Sequence, residues 1–200
     1  GEPVSVETAE LVEAYSQELR DTPMGARLRH AHVMALVQSG QFDRAFAEAK
    51  ALDGFSDTEA AIALRLNMIR ALTETAGDIV FLDHVLTHDR ADLALLHAPD
   101  RFDLAARLLD LGFAAEAQEV LAAGPEGARP PRRQLLAAEA ALALEQPFQA
   151  QAALLGIDDP TAAPLRARAK EMAGAFGEAH DLYQASDLTE PAMSAAWLAD

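Results

Sequence analysis

An all-α fold is predicted for this 200-residue chain by three observations. Ala and Leu fill 45 and 28 positions, and both are strong helix formers. Aromatic residues, which favour strands together with β-branched ones, are sparse, with 8 Phe, 2 Tyr and 1 Trp. Turn signals recur at intervals of 37, 35, 33 and 29 residues, the spacing of a repeated helical hairpin. A chain of this length is one large domain or two small ones, long enough to bury roughly 70% of its unfolded surface.

Taken in order, the pattern predicts a leading helix near Thr8 to Arg20 and then five helical pairs. Their ranges are 23–39 with 41–52, 57–75 with 78–89, 99–111 with 113–123, 130–144 with 146–155, and 160–173 with 176–186. Ser56-Asp57 and Asp158-Asp159-Pro160 read as helix starts, because Ser and Asp side chains accept from the free N–H groups of a first turn. Thr189-Glu190-Pro191 opens a final helix near Glu190, with Pro in its first turn. That helix reaches Asp200 without a partner helix, the pattern of a piece of a longer protein. The Gly124–Pro131 segment, rich in Pro and Gly, is a candidate sub-array break inside a single domain spanning 1–200.

Five turns are each followed, five residues on, by Ala or another apolar residue. They run Gly40 to Ala45, Gly77 to Leu82, Gly112 to Ala117, Glu145 to Ala150, and Gly174 to Ala179. Twelve residues before the apolar position stand Val33, Ala105, Ala138 and Ala167, small or modest side chains that let two helices cross closely. The second unit departs, with Arg70 at that place. Bulk returns one helical turn after the alanine, as Leu121, Leu154 and Tyr183.

These hairpins, and the Gly-x-Phe-x-x-Ala turns at Gly40 and Gly174 above all, resemble the tetratricopeptide repeat. The resemblance covers residues 23 to 186 and is degenerate, since no first helix carries the family's tryptophan and most of its terminal prolines are missing. It implies a right-handed superhelical solenoid of about five hairpins plus flanking helices. Each hairpin would bury its apolar face only by stacking on neighbours.

Charge excludes several functions. The net charge is −16, from 32 acidic and 16 basic residues, so a polyanionic nucleic acid is not the expected partner. Anionic membrane surfaces are disfavoured likewise, and no apolar run approaches the ~20 residues of a membrane span. With 0 Cys there is no disulfide, thiol nucleophile or cysteine-based zinc site. A cysteine-free chain suits both cytoplasm and periplasm; the cytoplasm is favoured, and the compartment stays open. The ratio of 14 Arg to 2 Lys, with the Ala excess, points to a GC-rich, bacterial genome.

Catalysis is not expected. No Gly-rich phosphate loop and no nucleophile-elbow serine is present, and no cofactor is implied. His84 and His88 stand four apart, on one helix face, near Asp92 and His97. A zinc protease helix carries Glu after its first His; here Val85 follows, and surface histidines are the reading adopted, with no metal. Arg129, Arg132 and Arg133 around Pro130-Pro131 form either an anion patch or a solvated loop. Trp197 reads as awaiting a neighbouring helix.

The first helices of the five pairs sum to +3 and the second helices to −7. In tetratricopeptide solenoids the first helices line a concave groove, so the resemblance implies an acidic back and a neutral to mildly basic groove. Counted back ten and thirteen residues from the turns, it places Arg27, His30, Asn67, Phe102 and Arg132 there. At six and nine it adds Met34, Met68, Leu136, Leu165 and Arg168. Such walls suit an extended peptide or amphipathic helix bearing acidic groups. The expected function is a non-enzymatic scaffold that binds a protein or peptide segment, with self-association open at the solenoid ends. The alternative is an accessory or sensor region of a larger bacterial protein, similar to the superhelical parts of cell-wall lytic enzymes or transcriptional regulators.

Overall fold

A computed structural model describes residues 14–15, 22–52, 58–87, 90–124 and 130–199. Among them the regular structure is entirely α-helical, with no strand. The helices are α1 (Pro23–Gln38), α2 (Phe42–Leu52), α3 (Thr58–Thr75), α4 (Asp78–Thr87), α5 (Arg90–Leu95), α6 (Ala98–Asp110), α7 (Ala114–Ala122), α8 (Pro131–Ala143), α9 (Pro147–Ala153), α10 (Ala162–Met172), α11 (Phe176–Ala185) and α12 (Thr189–Ala199). All but α5 follow the expected order. Residues 14 and 15 are helical, and the rest of the expected Thr8–Arg20 helix lies outside the described residues, as do Ser56 and Asp57. None of the described helices is long and apolar enough to cross a membrane.

The repeated turn has one physical cause. After α1, α6, α8 and α10 a residue takes a left-handed backbone: Gly40 at φ 76°, Gly112 at 86°, Glu145 at 56° and Gly174 at 78°. The next residue then donates its N–H back to the last helical turn, at 2.8–2.9 Å: Gln41 to Leu36, Phe113 to Leu108, Gln146 to Ala141, and Ala175 to Lys170. This bond and its shorter companion satisfy carbonyls that a helix end leaves open. Glycine is favoured because it meets no Cβ penalty at positive φ; Glu145 takes the same geometry at a cost. The second helix begins at once, as Ala45, Ala117, Ala150 and Ala179 donate to the carbonyls of Gln41, Phe113, Gln146 and Ala175.

Those four alanines have no exposed surface, and Val33, Ala105, Ala138 and Ala167 twelve residues earlier are equally buried. Ala138 shares one apolar cluster with Ala150, and Ala167 another with Ala179. Leu121, Leu154 and Tyr183 are buried one turn on. A core built largely of alanine depends on close helix approach, since small side chains contribute little area each.

The second hairpin differs by one residue. Two residues separate α3 from α4, whereas three separate the helices at the four turns above. No left-handed residue intervenes, and the register slips. Phe81, which donates to the Gly77 carbonyl at 2.9 Å, is the fully buried residue; the expected Leu82 is only half-buried. Its counterpart twelve residues earlier is buried Ile69 rather than Arg70. The unexpected α5 buries Leu93, with Leu96 just beyond it, and packs on α3.

Packing divides the chain into two compact units, 1–96 and 97–200. In the first, α1 packs on α2 and α3, and α3 on α2, α4 and α5. In the second, each helix from α6 to α12 packs on the next, while α6 also touches α8 and α8 touches α10. Gly124 and Pro130 belong to the second unit; residues 125–129 lie outside the described residues.

Candidate functional site

The first helices of the hairpins position the residues singled out in the sequence. In the first unit, Arg27, His30 and Met34 recur on one face of α1. Arg27 is exposed, while His30 and Met34 are half-buried. Burial, followed by the charge of Arg29, holds the His30 imidazole below its usual range. On α3, Asn67 is exposed, but Met68 has no exposed surface and Ile69 beside it almost none. Met68 is therefore part of the interior that joins helices.

In the second unit Phe102 is also buried. The guanidinium carbons of Arg101 and Arg132 each lie 6.0 Å from its ring centroid, within reach of a cation–π contact. Arg132 is half-exposed and donates to the Asp103 carboxylate. Leu136 is buried, Leu165 half-buried and Arg168 exposed. Arg132 on α8 and Arg168 on α10 thus stand on two helices that touch.

The α6–α8 side carries acid as well. Glu139, two turns beyond Arg132, has its carboxyl held above the usual range, first by burial and then by the charge of Asp110. The spacing that selects Leu136 and Arg168 also selects Asp103 and Glu139, so the sequence carried this signal. A charge sum per helix conceals it, because it averages faces that the fold separates.

Arg133 and Arg101 are built into the framework. Arg133 donates from Nε and Nη2 to the Leu121 carbonyl, at 3.2 and 3.1 Å. Arg101 is 4% exposed; its guanidinium lies against Gly124, where any Cβ would overlap it. Burial and then the Arg133 charge lower the Arg101 pKa from its ordinary value. Of the candidate anion patch, Arg132 and Arg133 are thus engaged within the chain, and Arg129 lies outside the described residues.

His84 bonds across the first unit rather than along its own helix. Its Nε2 is 2.9 Å from Asp43 Oδ1, and its ring stacks on Phe46 at 4.4 Å between centroids. His88 lies outside the described residues. Trp197 is 83% exposed on α12.

No family model matches the chain, and no curated protein or solved structure matches it.

Proposed function

We propose that the hairpins continue one another as a right-handed, tetratricopeptide-like solenoid whose first helices form a concave wall. That wall binds a protein or peptide segment without catalysing a reaction on it. The observation that carries this reading is the packing of alternate helices in the second unit, α6 on α8 and α8 on α10. With it, exposed or half-exposed Arg132 and Arg168 stand beside half-buried Leu135 and Leu165 on neighbouring first helices. Apolar walls give contact area, and a few arginines give direction to a carboxylate.

Asp103, Asp110 and Glu139 make the wall mixed in charge, so it favours a partner whose acidic group meets Arg168 and whose basic group meets Glu139. Arg132, already held by Asp103, serves as a preset anchor. The test is capture of partners from source lysate by the full chain, beside an Arg132→Glu/Arg168→Glu variant whose helicity is unchanged. A partner held by the wild type and lost by the variant supports the groove. A partner retained equally by both places binding elsewhere and rejects it.

A further inference from the structure

We propose that the cleft at the Glu145 turn is a receptor for an arginine side chain presented by a partner protein. The cleft lies within the second unit and has a volume of about 620 Å³. Its lining is Glu145, Gln146, Pro147, Phe148, Gln149 and Met172. Glu145 is exposed, and the Phe148 ring is 74% exposed. The Gln146 Oε1 atom, in contrast, is buried and has no hydrogen-bond partner among the described residues.

The other turns of the same geometry lack this set of groups. In place of Glu145 they carry Gly40, Gly112 and Gly174. Three residues on, in place of Phe148, they carry Asp43, Ala115 and Gly177. Of these four turns, only this one holds a carboxylate on a left-handed backbone and leaves a large ring in solvent. Neither feature serves packing, since a left-handed Glu is strained and an exposed ring removes little apolar area from water. Strain and an exposed aromatic side chain together at one cleft point to binding.

Charge selects the occupant. Glu145 supplies a carboxylate, Phe148 a π face for a cation, and Gln146 Oε1 an acceptor that burial makes costly to leave unpaired. The helices α8 and α10 end at the cleft, at Ala143 and Met172, so two helix C-termini add partial negative charge. The α9 helix, which starts there, has only 7 residues. Among the described residues, none that lines the cleft is basic. Lys170 is held by Glu178 at 2.6 Å, and Arg168 stands one turn before Met172, outside the lining. The net charge of −16 draws basic partners and repels acidic ones. A guanidinium suits the cleft better than an ammonium. It is planar, stacks on a ring, and its fork reaches a carboxylate and an amide oxygen together. The adaptable Met172 side chain can follow its apolar stem. Glu145, Gln146 and Phe148 lie on a turn and a second helix, outside the proposed wall of first helices, so either site can fail without the other.

The experiment is a nuclear magnetic resonance titration of the full chain with the blocked tripeptide acetyl-Gly-Arg-Gly-amide. The same tripeptide with citrulline, the neutral isostere of arginine, is the control. The expected result is saturable binding of the arginine peptide in the millimolar range, on the order of what one side chain supplies. The Gln146 side-chain amide and the Phe148 backbone amide should shift with it. Citrulline should bind at least ~5-fold more weakly, because a charged donor is roughly twice as strong as a neutral one. Glu145→Gln, with unchanged helicity, should weaken the arginine peptide by about 5–10-fold, and Phe148→Ala by about 3-fold. Both residues are exposed, so either variant keeps the test open if the other fails to fold. Absence of saturable binding at about tenfold above that range overturns the proposal. Equal binding of citrulline overturns the choice of a cation. Binding that leaves the Gln146 and Phe148 signals unmoved, or that survives both substitutions, places the peptide elsewhere and overturns the site.

Discussion

The Arg133 guanidinium grips the Leu121 carbonyl through two of its nitrogens, and the same contact recurs 33 residues later, where Arg166 donates to the Leu154 carbonyl at 3.2 Å. In both cases a first-helix arginine reaches back twelve residues to a carbonyl at the end of the preceding second helix. Arg166 reaches the Ile157 carbonyl too. Helix ends leave carbonyls without intrahelical partners, and a charged donor satisfies them more strongly than a neutral one.

Replacing Arg133 or Arg166 with Met keeps most of the apolar stem and removes the donor. Each substitution should cost about 1–3 kcal/mol, read as a lower urea midpoint with an unchanged slope. Near-equal losses would reflect the equivalent placement of the two arginines. A loss below about 0.3 kcal/mol at both positions would show that water replaces the guanidinium without penalty.

Close helix crossing makes the buried alanines sensitive to added volume. Ala150→Leu, at a position that shares an apolar cluster with Ala138 in the α8–α9 hairpin, should destabilise the chain by about 1–3 kcal/mol or more, because a packed core absorbs extra methylenes only by shifting backbone. The exposed Ala152 on the same helix is the control; Ala152→Leu should change stability by less than about 0.5 kcal/mol. Chemical denaturation of the pair measures the difference.

Glu145 occupies the left-handed position that Gly40, Gly112 and Gly174 take elsewhere. A non-glycine residue pays about 1–2 kcal/mol for that conformation, and glycine gives back part of the gain through its freer unfolded chain. Glu145→Gly should therefore raise stability by about 0.5–1 kcal/mol. A drop in thermal midpoint would mean that the Glu145 side chain makes a contact worth more than its strain.

Gly124 has a different role from the turn glycines, since its backbone is ordinary and the constraint is space. Gly124→Ala drives a methyl into the Arg101 guanidinium, and Arg101 is too buried to swing aside freely. A loss of about 1–3 kcal/mol is expected, and Arg101→Ala should relieve much of the added penalty. A double-mutant cycle tests that coupling.

Glu139 supplies a pH dependence. Its folded carboxyl holds its proton more tightly than the unfolded one, so the folded state binds more protons just above the ordinary glutamate range. Stability must then fall as pH rises from about 4.5 through the raised folded value. Glu139→Gln should raise the thermal midpoint near neutral pH and leave it little changed near pH 4. An equal effect at both pH values would assign the change to something other than this carboxyl.

Local signals were readable without coordinates. Alanine and leucine content set the helical class. Gly40, Gly112 and Gly174 mark helix ends because few other residues take a positive φ, and the buried alanines five residues later mark where two helices cross. Each of these depends on a short stretch of chain and on its own side chains. The one-residue slip at Gly77 was not readable, because it follows from the length of a connection that lacks a left-handed residue. Three-dimensional packing alone decided that Met68 and Phe102 go inside, that Arg132 binds Asp103, and that Arg101 rests on Gly124. Burial and pairing depend on which helices meet, and residues at equal spacing from a turn meet different neighbours in each hairpin.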